Sequence, residues 1–387
     1  MTFLRRCLST FTLTFTSVLT LTSSMSAASQ LIFIGTYTPK DNSSRGIYAV
    51  RLDTVTGALG EPVAVAEAPN PTFLSLAPNG RELYALNETD SVNGRPGGGA
   101  TAYRIDPEAG TLAKLNFQPT GGIACANIST DHTGKALVLI SYHGGQVTSF
   151  PLAGDGSIGP RASFLKTTGR LGPNQGRQDA PHPHSITFSP DNRFAYVCDL
   201  GLDRIFCYRL DPAPATLTPA GEFATAPGAG PRHSKFSADG KFFYVIDELD
   251  STIVTYACDA QTGAIAPKQT VSTLPADFKG ANGCAEIRLH PNGRFVYGSN
   301  RGHDSLAVFA RNAADGTLTL VEIVACGGAH PRNFALSPDG AWLVCANRDS
   351  NNLVVFKVDA ATGRLTATGH TAKVPQAVCV LFVPPVK

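Results

Sequence analysis

The chain repeats itself, and the period limits what it can fold into. Residues Ser189-Pro190-Asp191-Asn192-Arg193-Phe194-Ala195-Tyr196-Val197 match Ser337-Pro338-Asp339-Gly340-Ala341-Trp342-Leu343-Val344-Cys345. The same turn recurs as Ala77-Pro78-Asn79-Gly80, Ala238-Asp239-Gly240 and His290-Pro291-Asn292-Gly293, and in weaker form as His132-Thr133-Gly134. Anchored at 80, 134, 192, 240, 293 and 340, the copies lie 54, 58, 48, 53 and 47 residues apart. A period near fifty indicates one supersecondary unit stacked many times, because a single unit cannot bury its apolar face alone.

Each unit has the same content. An alternating apolar run such as Ser185-Ile186-Thr187-Phe188 leads into the turn, where Pro, Asp/Asn and Gly close a hairpin. A second strand follows (Phe243-Tyr244-Val245-Ile246), then a third (Leu353-Val354-Val355-Phe356), then a Thr-Gly turn (Thr262-Gly263, Thr362-Gly363) and a fourth. Four short antiparallel strands per repeat predict an all-β propeller. Six anchors give six blades. Gln376–Phe382 reads as the strand before a missing turn, and Gln30–Gly35 as the strand after it. The two ends therefore predict a seventh blade, shared between the termini, that closes the ring and removes its free edges. With 38 Gly and 27 Pro in 387 residues, short strands and turns are expected throughout, as one domain over 29–387.

Residues 1–28 read as an address. Arg5 and Arg6 precede an uncharged apolar and hydroxylic run, and Ser26-Ala27-Ala28 offers small residues at a cleavage site. This pattern predicts a secretory signal peptide, hence an exported chain, periplasmic or secreted and free of the membrane after cleavage. The formal charge of +2 equals the contribution of those two arginines, so the remainder is neutral and lacks the basic excess of a general nucleic-acid binder. Export permits disulfides. However, Cys198, Cys258, Cys345 and Cys379 lie in apolar runs without CxxC spacing, so buried free thiols are expected, with Cys198 and Cys207 the first pair to check.

The repeat also locates a candidate site. Eight residues before each anchor stand Thr72, Ala126, His184, Arg232, Ala285 and Arg332; eight after stand Glu88, Tyr142, Leu200, Glu248, Arg301 and Arg348. In a hairpin these positions share one face of the ring. A purely structural position should carry bland, repeated residues, yet this one collects arginines, histidines and carboxylates, with His182, His233, Glu286, Asn300, His303 and Asn347 at the same edge. Such a cluster suits an anion with acid/base chemistry. Arg and Glu at blade edges also pair across neighbouring blades without further purpose, and that reading stands for any one of them. His182-Pro183-His184 is a weak metal signal, since a proline separates the two histidines and no acidic triplet lies nearby. No metal or cofactor is expected.

The strings Ala180-Pro181-His182-Pro183-His184-Ser185, Asp199-Leu200-Gly201-Leu202-Asp203, Gly230-Pro231-Arg232-His233, Asp247-Glu248-Leu249, Ala285-Glu286-Ile287-Arg288, Ser299-Asn300-Arg301-Gly302 and His330-Pro331-Arg332-Asn333 together resemble the lactonase family of seven-bladed β-propellers. That family includes the propeller-type 6-phosphogluconolactonase and the carboxy-cis,cis-muconate lactonizing enzyme. The resemblance runs from about residue 31 to the C-terminus. It implies hydrolysis of a sugar lactone without a cofactor. It also implies a catalytic set of His184, Arg232, Glu248 and Arg301, with His182, His233, Glu286, Asn300, His303, Arg332, Asn347 and Arg348 around the substrate. The expected partner is a small, anionic lactone and the expected state a monomer. Glu248 or His184 would take the proton from water. Export sits poorly with a phosphorylated cytoplasmic substrate, so an unphosphorylated aldonolactone or another lactone is the expected variant. A non-catalytic binding propeller, or a cycloisomerase acting on an unsaturated diacid, would use the same mouth.

Overall fold

A computed structural model describes residues 29–384 except 42 and 93; the segment expected to be a signal peptide lies outside the described residues. Seven four-stranded antiparallel sheets form the ring. In six of them the strands follow chain order from the axis outward. In the seventh, Ala377–Phe382 is innermost and pairs with Ser29–Thr36, which pairs with Gly46–Asp53 and then Val63–Glu67. The expected closing blade is therefore present. A small extra hairpin, Ser91–Val92 with Arg95–Pro96, sits on the second blade.

The recurring turns have specific physical jobs. In Ser-Pro-Asp anchors the serine hydroxyl donates to the aspartate, as in Ser189 to Asp191 (2.6 Å) and Ser337 to Asp339 (2.5 Å). The same hydroxyl then accepts the backbone N–H of Phe194 or Trp342, which fixes where the second strand begins. The Thr-Gly turns lock blade to blade. Gly263 and Gly363 adopt φ of 77° and 75°, and a Cβ there would stand 2.7 Å and 2.4 Å from the rings of Phe194 and Phe295 in an earlier blade. Each glycine carbonyl accepts a tyrosine hydroxyl from that blade, Tyr196 to Gly263 (2.8 Å) and Tyr297 to Gly363 (3.0 Å). Between blades lie seven separate apolar clusters, such as Phe295, Tyr297, Phe334, Leu343 and Phe356. The core is thus a ring of inter-blade layers, and the axis is left free for polar side chains.

All eight described cysteines are free thiols, seven of them buried. Cys198 pairs with Ile205 and Cys207 with Tyr196, so the two cysteines are diagonal neighbours inside one apolar cluster, not a disulfide. Burial pushes their thiols up to about 12 and about 11.

Candidate active site

The mouth is built by β-bulges. Strand pairing skips one residue between Cys125 and Asn127, Pro183 and Ser185, Pro231 and His233, and Pro331 and Asn333. The skipped residues are Ala126, His184, Arg232 and Arg332. A bulge breaks the alternation of a strand and re-aims a side chain. Two consecutive residues of one strand can then face the axis. As a result His184, Arg232, His233, Arg332 and Asn333 all line one narrow axial pocket, joined by Thr72 and Glu88. In three of these strands a proline, which cannot donate to the ladder, stands first, directly before the bulged residue.

Glu248 is the hub of the charge network. Its Oε2 accepts from Arg232 Nε (2.8 Å) and lies 2.9 Å from Arg301 Nη2, while its Oε1 accepts from Arg177 Nη2 (2.5 Å). Arg232, only 1% exposed, also donates Nη1 to the Ala285 carbonyl (2.5 Å). Arg301 donates to the carbonyls of Gly283 (3.0 Å) and Cys284 (2.8 Å). Burial would raise the Glu248 carboxyl, but Arg301, Arg232 and Arg177 outweigh it and hold the group well below the usual carboxylate range. Burial, reinforced by Arg301 and Arg332, brings the Arg232 guanidinium down to about 9.

His184 is neutral at ordinary pH. Burial comes first, followed by the nearby charge of Arg232, and together they push it well below the usual imidazole value. Its Nδ1 is buried without a partner among the described residues, and its ring meets Tyr142 and His233 edge-on at 5.4 and 5.2 Å. Beneath it His233 Nδ1 lies 3.2 Å from Glu286 Oε2, which also accepts from Asn333. Burial and Arg232 push His233 down to about 3 against the pull of Glu286. Arg332 lies over the Tyr37 ring (5.6 Å), and its guanidinium has no hydrogen-bond or ion-pair partner among the described residues. Tyr37 instead donates to Glu88 Oε1 (2.9 Å), whose Oε2 accepts from Thr72 (2.6 Å).

The other expected residues divide. His182 stacks on Tyr142 (4.3 Å, 8°) and is pinned between the Tyr142 carbonyl (3.2 Å) and Asp179 (3.0 Å). Arg348 is tied to Asp349 (2.6 Å) at the rim. His303 lies 2.7 Å from the Ser305 hydroxyl, against Phe278. Asn300 and Asn347 are fully buried within their blades; Asn300 bonds Thr273 and Ser305, and Asn347 the Cys326 carbonyl, so both serve the scaffold. Arg177 was not anticipated. It comes from the connection between Ser163–Lys166 and Pro183–Phe188, whose only sequence signal is the longest anchor spacing, 58 residues. No group of three or more His, Cys, Asp or Glu able to hold a metal occurs among the described residues.

The family model described as "Lactonase, 7-bladed beta-propeller" matches residues 31–382. The chain belongs to that lactonase family. Relatives named 6-phosphogluconolactonase are lactone hydrolases, which places this chain among the carboxylic ester hydrolases. A 6-phosphogluconolactonase of Bacillus subtilis is 38% identical over 90% of this chain and 97% of its own. One of Formosa agariphila is 34% identical over 79% and 86%. Among solved structures, the periplasmic gluconolactonase of Pseudomonas aeruginosa is 34% identical, covers 92% of this chain and 99% of its own, and superposes with a TM-score of 0.86. Within this lactonase-family ring, the axial mouth brings His184, Arg232 and Arg332 to one pocket.

Proposed function

We propose that the chain hydrolyses a sugar lactone at the axial mouth, with His184 as base and Arg232 as the oxyanion donor. The observation that carries this reading is a buried, neutral imidazole with an unpartnered nitrogen, sharing a pocket with two arginines. His184 takes one proton from water, and the resulting hydroxide adds to the ester carbonyl. Negative charge grows on the carbonyl oxygen, where a preorganised cation lowers the barrier most. Arg232 has donors left after its bonds to Glu248 and Ala285 and faces the pocket. Collapse breaks the ring C–O bond, and His184 returns its proton to the alkoxide. The product is a hydroxy-acid, which ionises and releases its carboxyl proton to solvent.

Both oxygens of Glu248 are already engaged by guanidinium groups, Oε2 by Arg232 and Arg301 and Oε1 by Arg177, so it is poorly placed to take a proton from water. It is a positioning residue that holds Arg232 and Arg301. Arg332, whose guanidinium has no hydrogen-bond or ion-pair partner among the described residues, suits the product carboxylate or a substrate phosphate. The N-terminal address supports a periplasmic site of action, where phosphorylated sugar lactones are scarce. An unphosphorylated aldonolactone therefore fits best, and the periplasmic relative agrees.

The test is base uptake at constant pH by the mature protein on glucono-1,5-lactone, with and without a 6-phosphate. The signal is the excess over a Glu248→Gln, Arg301→Ala double variant, because these lactones open spontaneously. An excess on the plain lactone is expected. No excess on either substrate would favour a binding propeller, and ring formation from an unsaturated diacid would favour a cycloisomerase.

A further inference from the structure

The axial channel has a second mouth, on the face of the anchor turns. Five positions before the anchors stand Ser75, Ser129, Thr187, Lys235 and Arg288. All five, with Leu381 of the closing strand, line one cavity of about 150 Å³. That is several times the roughly 30 Å³ of a liquid water. Lys235 lies three residues beyond Arg232 on the same strand, roughly 10 Å along it. Between the two mouths the buried side chains of His233, Glu286 and Asn333 fill the channel, 3%, 0% and 1% exposed.

Charge does not balance at this end. Lys235 has no hydrogen-bond or ion-pair partner among the described residues. Arg288 Nε donates to the Phe334 carbonyl at 3.3 Å and stands 3.5 Å from Glu286 Oε1. Its two Nη groups have no partner among the described residues. Among the described residues Glu286 is the one carboxylate near both cations. Its Oε2 is already engaged by His233 and Asn333, and its Oε1 accepts the Ile287 N–H (3.1 Å). Burial, with Arg288 adding to it, pulls the Lys235 ammonium down to about 8. Two cations therefore share a fraction of one buried carboxylate, inside a concave space several waters in size. Ser75 accepts the Thr130 N–H (3.2 Å) and keeps its own proton free to donate.

We propose that this second mouth binds a small inorganic oxyanion such as phosphate, held by Lys235 and by the free Nη groups of Arg288. The planar guanidinium matches an oxyanion, and the ammonium supplies a point charge beside it. The site is separate from the lactone mouth and does not depend on the lactonase reading.

The experiment is a thermal-unfolding titration with sodium phosphate at constant ionic strength, on wild type, Lys235→Met, Arg288→Met and Arg332→Ala. Only a ligand that prefers the folded state raises Tm. A saturable rise is expected in wild type and in Arg332→Ala, with at least a tenfold loss of apparent affinity in Lys235→Met and Arg288→Met. Without phosphate, Lys235→Met is expected to melt no lower than wild type, since it removes a half-buried charge that has no partner among the described residues. A rise that is equal in wild type and Lys235→Met, or absent in wild type, overturns the proposal. A selenate soak gives an independent reading: an anomalous peak between Lys235 and Arg288 supports the site, and a peak confined to the lactone mouth refutes it.

Discussion

Replacing Glu248 by Gln removes the one charge around which the mouth is assembled. Two buried guanidinium contacts, at 2.8 and 2.9 Å, and one from Arg177, whose side chain is 44% exposed, converge on it. At an effective dielectric of about 20, a unit pair with charge centres about 4 Å apart is worth about 4 kcal/mol. The exposed partner counts for much less. Desolvation cancels part of the rest, and removing one partner of a buried pair typically costs about 3–5 kcal/mol. A stability loss of that size is therefore expected from denaturant unfolding. A fall of about 100-fold in kcat/KM on the lactone should accompany it, as when a preorganised donor loses its place. The double variant Glu248→Gln, Arg232→Met tests the cause. It removes a cation together with the anion, so it should regain about 2 kcal/mol relative to the sum of the single effects, while activity stays lost. Unchanged stability within about 0.5 kcal/mol together with full turnover in Glu248→Gln would refute the argument that this carboxylate organises the mouth.

Further expectations can be checked separately. Because burial and Arg232 depress His184, kcat/KM should hold through pH 6 and fall only as the imidazole protonates at lower pH; a midpoint at 6.5 or above would remove His184 as base. His184 and His233 are depressed in the folded state, so the unfolded chain binds more protons below about pH 6.5. Stability should fall with decreasing pH from there toward about 3, by up to about 1.4 kcal/mol per unit for each histidine, measured by urea unfolding across pH. Glu248 acts in another window: its contribution is present above about pH 4.3 and is lost only in stronger acid. Gly201→Ala would place a Cβ 1.8 Å from the Ala180 carbonyl, displacing the connection that delivers Arg177. A cost of about 1–3 kcal/mol and reduced turnover are expected from melting and pH-stat assays. Deleting residues 375–387 removes the innermost strand of the closing blade, and size-exclusion and circular dichroism should show a chain that no longer folds to a compact ring.

Much of the architecture could be read from the sequence because its determinants are local. Ser-Pro-Asp and Thr-Gly turns fix hairpin ends by contacts within a few residues or to one neighbouring blade. Their spacing therefore indicated seven blades, the shared closing blade and the face on which His184, Arg232, Glu248 and Arg301 meet. The candidate residues were less evenly placed by register. Asn300 and Asn347 share the edge with the arginines, yet their side chains satisfy buried groups inside the blades.

Tertiary structure decided three things that spacing could not carry. The bulges at His184, Arg232 and Arg332 turn neighbouring residues toward the axis, whereas simple alternation would send one of each pair into the core. Arg177 reaches Glu248 across 71 positions of chain, from a connection with no repeat register. Which arginine is spent and which is free follows from closure of the ring, because Arg232 and Arg301 meet one carboxylate while Arg332 meets only an aromatic face. Periodicity fixes the position of a residue along its strand. The charge that it meets across the axis is set only when all seven blades are in place.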